Sequence, residues 1–222
     1  MLSAFHNASG YAARFANQVQ ALSGMIASDG YTLRCVWGEG DSTDGTLAAL
    51  RDLADRCNAS VVDVTHGKTV HGSVVSAERF ETMAGVWAIM FDQIGTDDIV
   101  VVCEPDLVWQ PDALATLIGD TIACPVACGM VWHNSKDGQR FYDTWAYRKD
   151  GEAFSMIKPY HAGINGKRLV ELDSAGSCLA IRGDLARAFR LSPADVLVGF
   201  CRDVRGAGGS IWLDTTVDIV HP

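Results

Sequence analysis

The sequence of 222 residues has no stretch long and apolar enough to cross a membrane, and it has no surplus of positive charge. Nowhere do about 18 uncharged apolar residues follow one another, and the opening segment MLSAFHNASG lacks the basic start and apolar run of a signal peptide. We therefore expect no membrane insertion and a cytoplasmic location. The 18 Lys and Arg are outnumbered by 27 Asp and Glu, and the net charge of -9 argues against a surface built mainly to hold nucleic-acid backbones.

The cysteines show none of the spacings typical of a zinc site or a redox motif. Their number is odd, and no C-x-x-C pair with a matching second pair is present. We expect most of them to be reduced thiols in the core, which suits a cytosolic compartment. The seven positions are Cys35, Cys57, Cys103, Cys124, Cys128, Cys178 and Cys201.

Apolar spacing in the first half of the chain predicts alternating strands and helices. This alternation implies an α/β fold with a mostly parallel central sheet, right-handed crossovers and flanking helices. The length and the hydrophobic content of 48% fit one domain over residues 1–222. The predicted helices lie at residues 11–27, 47–54, 80–94 and from 111 onwards, and the predicted strands lie at 31–39, 59–64 and 99–103.

The second half predicts a smaller antiparallel region. Two strands are expected to be joined through the turn Asn-Ser-Lys-Asp-Gly, and residues 149–167 have no clear periodicity, which is typical of a lid or binding loop. The predicted strands lie at residues 126–132, 140–147, 178–182 and 210–214, and the predicted helices at 183–189 and 200–207.

Two carboxylates follow the apolar strand IVVVC, in the segment Glu104-Pro105-Asp106. Ligands of open parallel sheets bind at the carboxyl ends of the strands, and oxygen donors there suit Mn²⁺ or Mg²⁺. A solvated acidic turn before a helix explains the same pattern. The imidazole of His221 completes a metal site if the C-terminal segment folds back to this edge, or else it is simply exposed.

A further carboxylate, Asp203, stands at the start of the helix expected at residues 200–207. The helix dipole favours its ionised form, so Asp203 suits a general base, although capping of the helix is the commoner role for such a residue.

Aromatic residues and carboxylates concentrate after the acidic segment. Aromatic faces beside a carboxylate suit sugar rings or stacked bases, but each Trp also suits the core and each Asp also suits a turn. The candidates for an acceptor site are Trp132, Tyr142, Asp143, Trp145 and Asp173.

Five segments follow one another along nearly the whole chain: FHNASGYAARFANQVQAL, EGDSTDGT, EPD, GFCRDV and the terminal His221. In this order they resemble the motifs of nucleotide-sugar glycosyltransferases of the GT-A fold. The first resembles the opening strand, turn and helix of that superfamily, and the second resembles its acidic loop. The others stand where many members keep an Asp-x-Asp metal motif, an acidic motif at a helix start and a metal-binding His.

The resemblance implies a nucleotide-binding half over about residues 1–110 and an acceptor-binding half over about 111–222. It implies a nucleoside pocket and a contact with the donor phosphates in the first half, and a bound Mn²⁺ or Mg²⁺ ion. The implied roles are nucleoside binding for Phe5, His6 and Glu39, phosphate binding for Arg79, ribose or metal-water contact for Glu104, metal binding for Asp106 and His221, and base catalysis for Asp203.

The chain departs from the pattern of the family in two places. Glu104 replaces the first Asp of the metal motif, and Arg202 replaces the usual Glu before Asp203. These departures leave the metal stoichiometry and the base open. The segment FYDTWAYR also resembles a Tyr-Asp-Thr-Trp-Ala stretch of some mannosyltransferases that retain configuration, so the choice between inversion and retention stays open.

The expected function is metal-dependent transfer of a hexose from a UDP- or GDP-sugar to a hydroxyl acceptor such as a glycan. One alternative is a phage-type enzyme that glycosylates hydroxymethylated pyrimidines in viral DNA, which the acidic net charge weakens. A nucleotidyltransferase is disfavoured because FHNASGY is not a Gly-rich phosphate loop. A non-catalytic module that binds a nucleotide or a carbohydrate is the alternative from another class.

Overall fold

The structure is a computed structural model that describes residues 1–68, 75–96, 98–136 and 138–222. Short strands and longer helices alternate through the first half of the chain, as the apolar spacing predicts. The strands are β1 (Leu2–Phe5), β2 (Cys35–Glu39), β3 (Ala59–Asp63), β4 (Ile99–Cys103) and β5 (Val108–Trp109). The helices are α1 (Ser9–Ala27), α2 (Thr46–Ala54), α3 (Ala77–Phe91) and α4 (Pro111–Asp120).

The second half is richer in strands. Its helices are α5 (Gly183–Ala188) and α6 (Val196–Gly206). Its strands are β6 (Val126–Ser135), β7 (Gly138–Phe141), β8 (Arg148–Lys149), β9 (Glu152–Ala153), β10 (Leu169–Leu172), β11 (Cys178–Arg182) and β12 (Ile211–His221). Short 3-10 helices lie at Asp55–Cys57 and Ala162–Ile164.

A ten-stranded sheet runs through both halves in the order β10-β12-β6-β11-β4-β1-β2-β3, with β5 beside β12 and β7 beside β6. Strands β3, β2, β1 and β4 pair in parallel. Strand β11 is antiparallel to both β4 and β6, so β6 and its parallel neighbour β12 run in the same direction as β4. The carboxyl ends of β1, β2, β4 and β12 therefore lie at the same edge of the sheet.

The helices cover the sheet with apolar faces that the sequence predicts. In α1 the buried positions recur at helical spacing and include Phe15, Val19 and Leu22. Phe15 packs edge-on against Phe5, with ring centroids 5.4 Å apart, and also contacts Trp37 of β2. Burying each such ring contributes roughly 1.5–3 kcal/mol, which ties α1 to the parallel half of the sheet.

Strand β12 carries an irregularity that brings its end beside β6. The register jumps from Asp214 opposite Gly129 to Asp218 opposite Met130, so three additional residues bulge out of β12. A Cβ on Gly129 would lie 2.7 Å from Val217 Cγ1 and 2.8 Å from Val217 O, so only glycine leaves room for the bulge. Beyond it, His221 lies opposite His133.

Several sequence predictions are wrong in detail. Strand β1 precedes the first helix, which the apolar spacing placed almost directly at the N-terminus. The strand predicted at residues 140–147 ends at Phe141, because the next residues form a turn in which Asp143 accepts from the backbone N–H of Tyr147 and of Ala146. The helix predicted at 200–207 begins earlier, at Val196.

All seven cysteines are buried and free, which confirms the predicted core thiols. Among the described residues, no helix combines the length and the apolar character that a membrane crossing needs.

Candidate functional site

Two distant side chains meet at the edge where the parallel strands end. His221 Nε2 lies 3.1 Å from Asp106 Oδ2. The cause is the antiparallel pairing of β5 with β12, which puts Val108 opposite Val220 and so brings the residues just before β5 beside the end of β12. The Asp106 carboxylate, through its hydrogen bond, raises the pKa of His221 above its ordinary value.

The acidic segment is held in place by the first helix. Arg14 of α1 donates from Nη2 to the backbone carbonyl of Asp106 at 2.5 Å and lies 3.5 Å from that of Pro105. Arg14 was not predicted, because its contact is with backbone atoms almost a hundred residues away along the chain. The contact leaves the carboxylate of Asp106 to face His221.

The donor set of Asp106 and His221 fits a divalent cation. Asp106 Oδ1 is buried and has no hydrogen-bond partner in the described part of the chain, although such an atom normally has one. The Nδ1 atom of His221 lies 3.1 Å from the carbonyl of Pro222, which favours the tautomer that leaves the Nε2 lone pair for a ligand. Within the described ranges, no group of three or more His, Cys, Asp or Glu side chains is arranged to hold a metal.

Glu104 lies in the wall of a cavity beside this pair. Burial raises the pKa of Glu104 to about 8, and the negative charges of Asp106 and Asp143 add to the effect. The positive charges of His221 and Arg79 oppose it. A carboxyl with such a pKa is mostly protonated at neutral pH until a nearby cation lowers the pKa.

A first cavity of about 260 Å³ lies between the ends of β1 and β2 and helix α3. Its wall includes Phe5 and His6, which were predicted to bind the nucleoside, and Arg79, which was predicted to bind the phosphates. His6 is fixed by two contacts, 3.2 Å from Nδ1 to Gly40 O and 3.1 Å from Nε2 to Asn7 Nδ2. The remaining lining residues are Ala4, Gly40, Val64, His66, Thr82, Met83, Val86 and Trp87.

Glu39, predicted to bind the nucleoside, is buried at the end of β2 but is not among the residues that line this cavity. Its Oε1 atom has no hydrogen-bond partner among the described residues. The next residue, Gly40, does line the cavity, and a Cβ there would lie 2.5 Å from the backbone nitrogen of Thr65. Glycine is therefore required where the chain leaves β2.

The acidic loop EGDSTDGT organises the cavity rather than lining it with carboxylates. Asp44 accepts from Ser9 N and Oγ at the start of α1 and from Thr46 N and Oγ1 at the start of α2. The hydrogen bond from Thr46 is the main reason why the pKa of Asp44 is held well below its usual range. Asp44 thus caps two helices at once.

Asp41, in the same loop, holds the lining residue His66. Its carboxylate accepts from the backbone N–H of His66 at 2.9 Å, and it lies 3.5 Å from His66 Nε2. The backbone hydrogen bond lowers the pKa of Asp41. Because Lys68 donates its N–H to His66 Nδ1 at 3.0 Å, the imidazole carries its proton on Nε2, toward Asp41.

A second cavity of about 290 Å³ adjoins the first and shares Arg79 and Met83 with it. Three predicted acceptor residues lie on its wall: Tyr142, Asp143 and Trp145. Trp145 packs on Phe80, with ring centroids 5.1 Å apart. The remaining lining residues are Val75, Phe80, Glu104, Thr144, Ala146, Gly176, Ser177, Val196 and Leu197.

Asp143 is a second carboxylate of this wall, beside Glu104. Its Oδ1 accepts from Ala146 N at 3.1 Å and its Oδ2 from Ser177 Oγ at 2.9 Å. Burial raises the pKa of Asp143, and these hydrogen bonds oppose the rise. A Cβ on Gly176 would lie within 2.3 Å of Asp143 Oδ2, so glycine at 176 makes room for the carboxylate.

Arg79 stands where the two cavities meet. It lies in the first turn of α3, where Ser76 Oγ accepts the Arg79 N–H at 3.2 Å and caps the helix. The cap therefore fixes the start of α3 where its first turn lies beside both cavities.

Three of the residues predicted to bind the acceptor or to act as the base do not line either cavity. Trp132 is buried, donates from Nε1 to Asp218 Oδ1 at 2.6 Å and lines a different groove. Asp173 pairs with Arg205 at 2.9 Å and accepts from Gly151 N at 2.7 Å.

Asp203 is the third. The prediction that it stands at a helix start is wrong, because α6 begins at Val196 and Asp203 lies near its other end. Its side chain is half exposed and lies 3.4 Å from Arg202 Nε. It is absent from the lining of either cavity described above.

Sequence reasoning missed His66, Thr82, Thr144 and Ser177, which line the two cavities. Thr144 had a signal, because it lies within the segment FYDTWAYR. The other three reach the site through loop and helix positions that no local spacing marks.

The sequence matches no protein-family model, and no curated protein matches it. Solved structures do match. A mycobacterial protein shares 14% identity over 100% of this chain and 66% of its own, with a TM-score of 0.57. The fragment 1–349 of S. aureus TarS in complex with UDP-GlcNAc shares 12% identity over 99% of this chain and 56% of its own, with a TM-score of 0.57.

A third match is M. tuberculosis glucosyl-3-phosphoglycerate synthase, with 14% identity over 93% of this chain and 65% of its own, and a TM-score of 0.50. The chain thus spans between 56% and 66% of the lengths of these structures. At such low identity the likeness concerns the fold alone. The chain has the GT-A fold, and the predicted mostly parallel central sheet flanked by helices is confirmed.

Proposed function

We propose that this protein transfers a sugar from a nucleotide diphosphate donor to a hydroxyl acceptor with the help of a divalent cation. The observation that carries the proposal is the 3.1 Å approach of Asp106 to His221 at the strand edge, beside two adjoining cavities that share Arg79. The fold supports it, since TarS with this fold was crystallised with UDP-GlcNAc.

The first cavity suits the nucleoside of the donor. Its wall combines the apolar side chains of Val64, Met83 and Trp87 with the fixed imidazoles of His6 and His66. A largely apolar cavity with a few fixed polar groups is the usual form of a nucleotide pocket. We assign the diphosphate to the junction, where the guanidinium of Arg79 offers a planar fork of donors for phosphate oxygens.

Asp106 and His221 would hold Mn²⁺ or Mg²⁺ at the end of the diphosphate. A bound cation of this kind supplies charge stabilisation of the departing diphosphate, worth several kcal/mol. Two protein ligands leave most coordination positions for phosphate oxygens and water, which is the usual arrangement for Mg²⁺. Glu104 would orient a water or the ribose from the adjoining wall.

The second cavity suits the acceptor. We propose that Asp143, held by Ser177 and Ala146, orients the attacking hydroxyl and takes its proton as the new bond to the sugar forms. Trp145 and Tyr142 offer aromatic faces for a sugar ring. This assignment replaces Asp203, whose half-exposed position near the end of α6 lies outside both walls.

A donor screen tests the proposal. Nucleotide sugars are added with and without Mn²⁺, and the thermal stability of the protein and the hydrolysis of the donor are measured. A correct donor at about a hundred times its dissociation constant should add about 2.7 kcal/mol of stability. Hydrolysis of the same donor to a nucleoside diphosphate and a free sugar separates a glycosyltransferase from a binding module. A nucleotidyltransferase would instead release pyrophosphate when it is given a nucleoside triphosphate and a sugar 1-phosphate.

The Asp106→Asn variant sharpens this test. It keeps the shape of the side chain but removes the charge that a cation needs, so metal-dependent stabilisation and donor hydrolysis should both be lost. Asp112→Asn, in the exposed first turn of α4, serves as the control and should behave as the wild type. An Asp106→Asn protein with undiminished metal dependence would contradict the proposed metal site.

A further inference from the structure

One aromatic ring lies flat against the imidazole of His221. The ring centroids of Tyr142 and His221 are 3.9 Å apart, and the two planes are inclined by only 13°. His133, which lies opposite His221 on β6, has its centroid 6.5 Å away and is tilted by 55°, so it does not stack. Tyr142 is thus the ring that covers the face of the imidazole.

The other contacts of His221 do not fix the plane of its ring. The contact of Nδ1 is with the carbonyl of Pro222, the exposed neighbouring residue. The contact of Nε2 is with Asp106, and it would be given up or lengthened when both side chains take a cation. Both contacts lie in the plane of the imidazole ring. Neither of them opposes rotation of the ring about the line that joins Nδ1 and Nε2.

Tyr142 is itself anchored independently of His221. It directly follows β7, and its backbone N–H donates to the carbonyl of Val131 in β6 at 2.8 Å. Strand β7 is paired with β6 from Trp132 to Ser135, which fixes where the chain of residue 142 leaves the sheet. The ring is therefore presented to His221 by the sheet rather than by a mobile contact.

We propose that Tyr142 is a positioning residue for the metal ligand His221, and that its ring holds the imidazole in the plane that directs Nε2 toward Asp106 and a shared cation. This inference rests on the proposed function, because it needs Asp106 and His221 to bind the cation. The phenol hydroxyl has no part in it. The face of the Tyr142 ring that stacks on the imidazole is the part that holds His221 in place.

The test measures the affinity of the protein for Mn²⁺ alone, from the signal of free Mn²⁺ in electron paramagnetic resonance, without donor or acceptor. Loss of a residue that orients a metal ligand typically weakens metal affinity by about 10–100-fold. We expect Tyr142→Leu to weaken Mn²⁺ binding by about that factor, and Tyr142→Phe to stay within about twofold of the wild type. Trp145→Leu, which removes another ring from the same cavity, should also stay within about twofold.

Three outcomes would overturn the inference. Tyr142→Leu with wild-type affinity shows that the stack is not needed, Tyr142→Phe as weak as Tyr142→Leu shows that the hydroxyl acts instead, and Trp145→Leu as weak as Tyr142→Leu shows a general loss of cavity shape. The proposed function fails separately. Its signature is that Asp106→Asn and His221→Ala both bind Mn²⁺ as the wild type does.

A second measurement needs no folded Leu variant. In the wild-type protein the ring protons of His221 should resonate upfield of an ordinary imidazole in the NMR spectrum, because they lie in the ring current of Tyr142. His221 is assigned from its missing signal in His221→Gln. An unshifted His221 signal would contradict the stack even if Tyr142→Leu proved too unstable to study.

Discussion

At the scale of the residue, the two aspartates Asp143 and Asp203 differ in what surrounds them. Asp143 lies in the wall of the second cavity, and both of its oxygens accept hydrogen bonds. Asp203 lies on the flank of α6 beside Arg202. The sequence favoured Asp203 because it was predicted to stand at a helix start, and because GFCRDV resembles a family motif found there. The environment in the folded chain favours Asp143.

Replacement of the two aspartates separates these assignments. Asp143→Asn should lower kcat by roughly a hundredfold or more, because a positioned base contributes at least that factor. Donor-induced thermal stabilisation should persist, since Asp143 lies outside the first cavity. Asp203→Asn should change neither kcat nor the donor-induced thermal stabilisation. A lower kcat for Asp203→Asn together with a normal kcat for Asp143→Asn would identify Asp203 as the base instead.

At the scale of the element, the start of α1 and the start of α2 depend on one carboxylate. Asp44 accepts hydrogen bonds from both helix starts, and these bonds, that from Thr46 foremost, hold the pKa of Asp44 well below its usual range. A group whose pKa is lowered by folding stabilises the folded state above its unfolded pKa, and this contribution is lost as the pH falls toward the folded pKa.

The pH dependence of unfolding tests this role. Between about pH 5 and pH 3 the free energy of unfolding of the wild type should fall more steeply than that of Asp44→Asn, which has no such proton to bind. Chemical denaturation at several pH values measures the difference. Asp29→Asn, in the exposed turn after α1, is the control and should follow the wild-type slope.

The bulge of β12 gives a second prediction at this scale. Gly129→Ala would place a Cβ 2.7 Å from Val217 Cγ1 and 2.8 Å from Val217 O, and overpacking of this kind costs roughly 1–3 kcal/mol. Because His221 follows the bulge on the same strand, Mn²⁺ affinity should fall as well. Gly85→Ala is the matched control: nothing lies within 4 Å of its Cβ, it is in the middle of α3, and it should stabilise the helix by about 0.5–1 kcal/mol. Equal stability of Gly129→Ala and the wild type would show that the strand accommodates the methyl group.

At the scale of the whole molecule, the net charge of -9 disfavours an acceptor that is itself strongly negative, such as DNA. An acceptor on DNA would need several phosphate contacts, and its glycosylation would fall by orders of magnitude between 50 and 200 mM salt. We expect sugar transfer to a neutral glycan acceptor to change by less than about twofold over that range. A steep loss with salt, together with transfer to hydroxymethylated DNA, would favour the DNA-modifying alternative instead.

The sequence predicted the parts of the fold that depend on local spacing. The run IVVVC gave β4, and the apolar face of Phe15, Val19 and Leu22 gave α1. The apolar spacing did not predict strand β1, because four residues directly before a helix carry little periodicity, and only the family resemblance implied an opening strand. The start of α6 was missed because Ser192 and Val196 exchange backbone hydrogen bonds across a tight loop, which no spacing of apolar residues reveals.

The candidate site was predicted only where motif resemblance and strand ends coincide. Asp106 and His221 were singled out from their positions in the chain, and they lie together. Arg14 and His66 could not be found in this way, since each depends on a partner from another loop: the carbonyl of Asp106 for Arg14, and the carboxylate of Asp41 for His66.

Helix α3 forms part of the wall of both cavities, through Arg79 and Met83. Under the proposed assignment of the first cavity to the donor and the second to the acceptor, selectivity for the two substrates is therefore coupled. Replacing Met83 with a smaller residue to admit a bulkier base would also enlarge the second cavity. A variant made to accept more donors should therefore discriminate less well among acceptors.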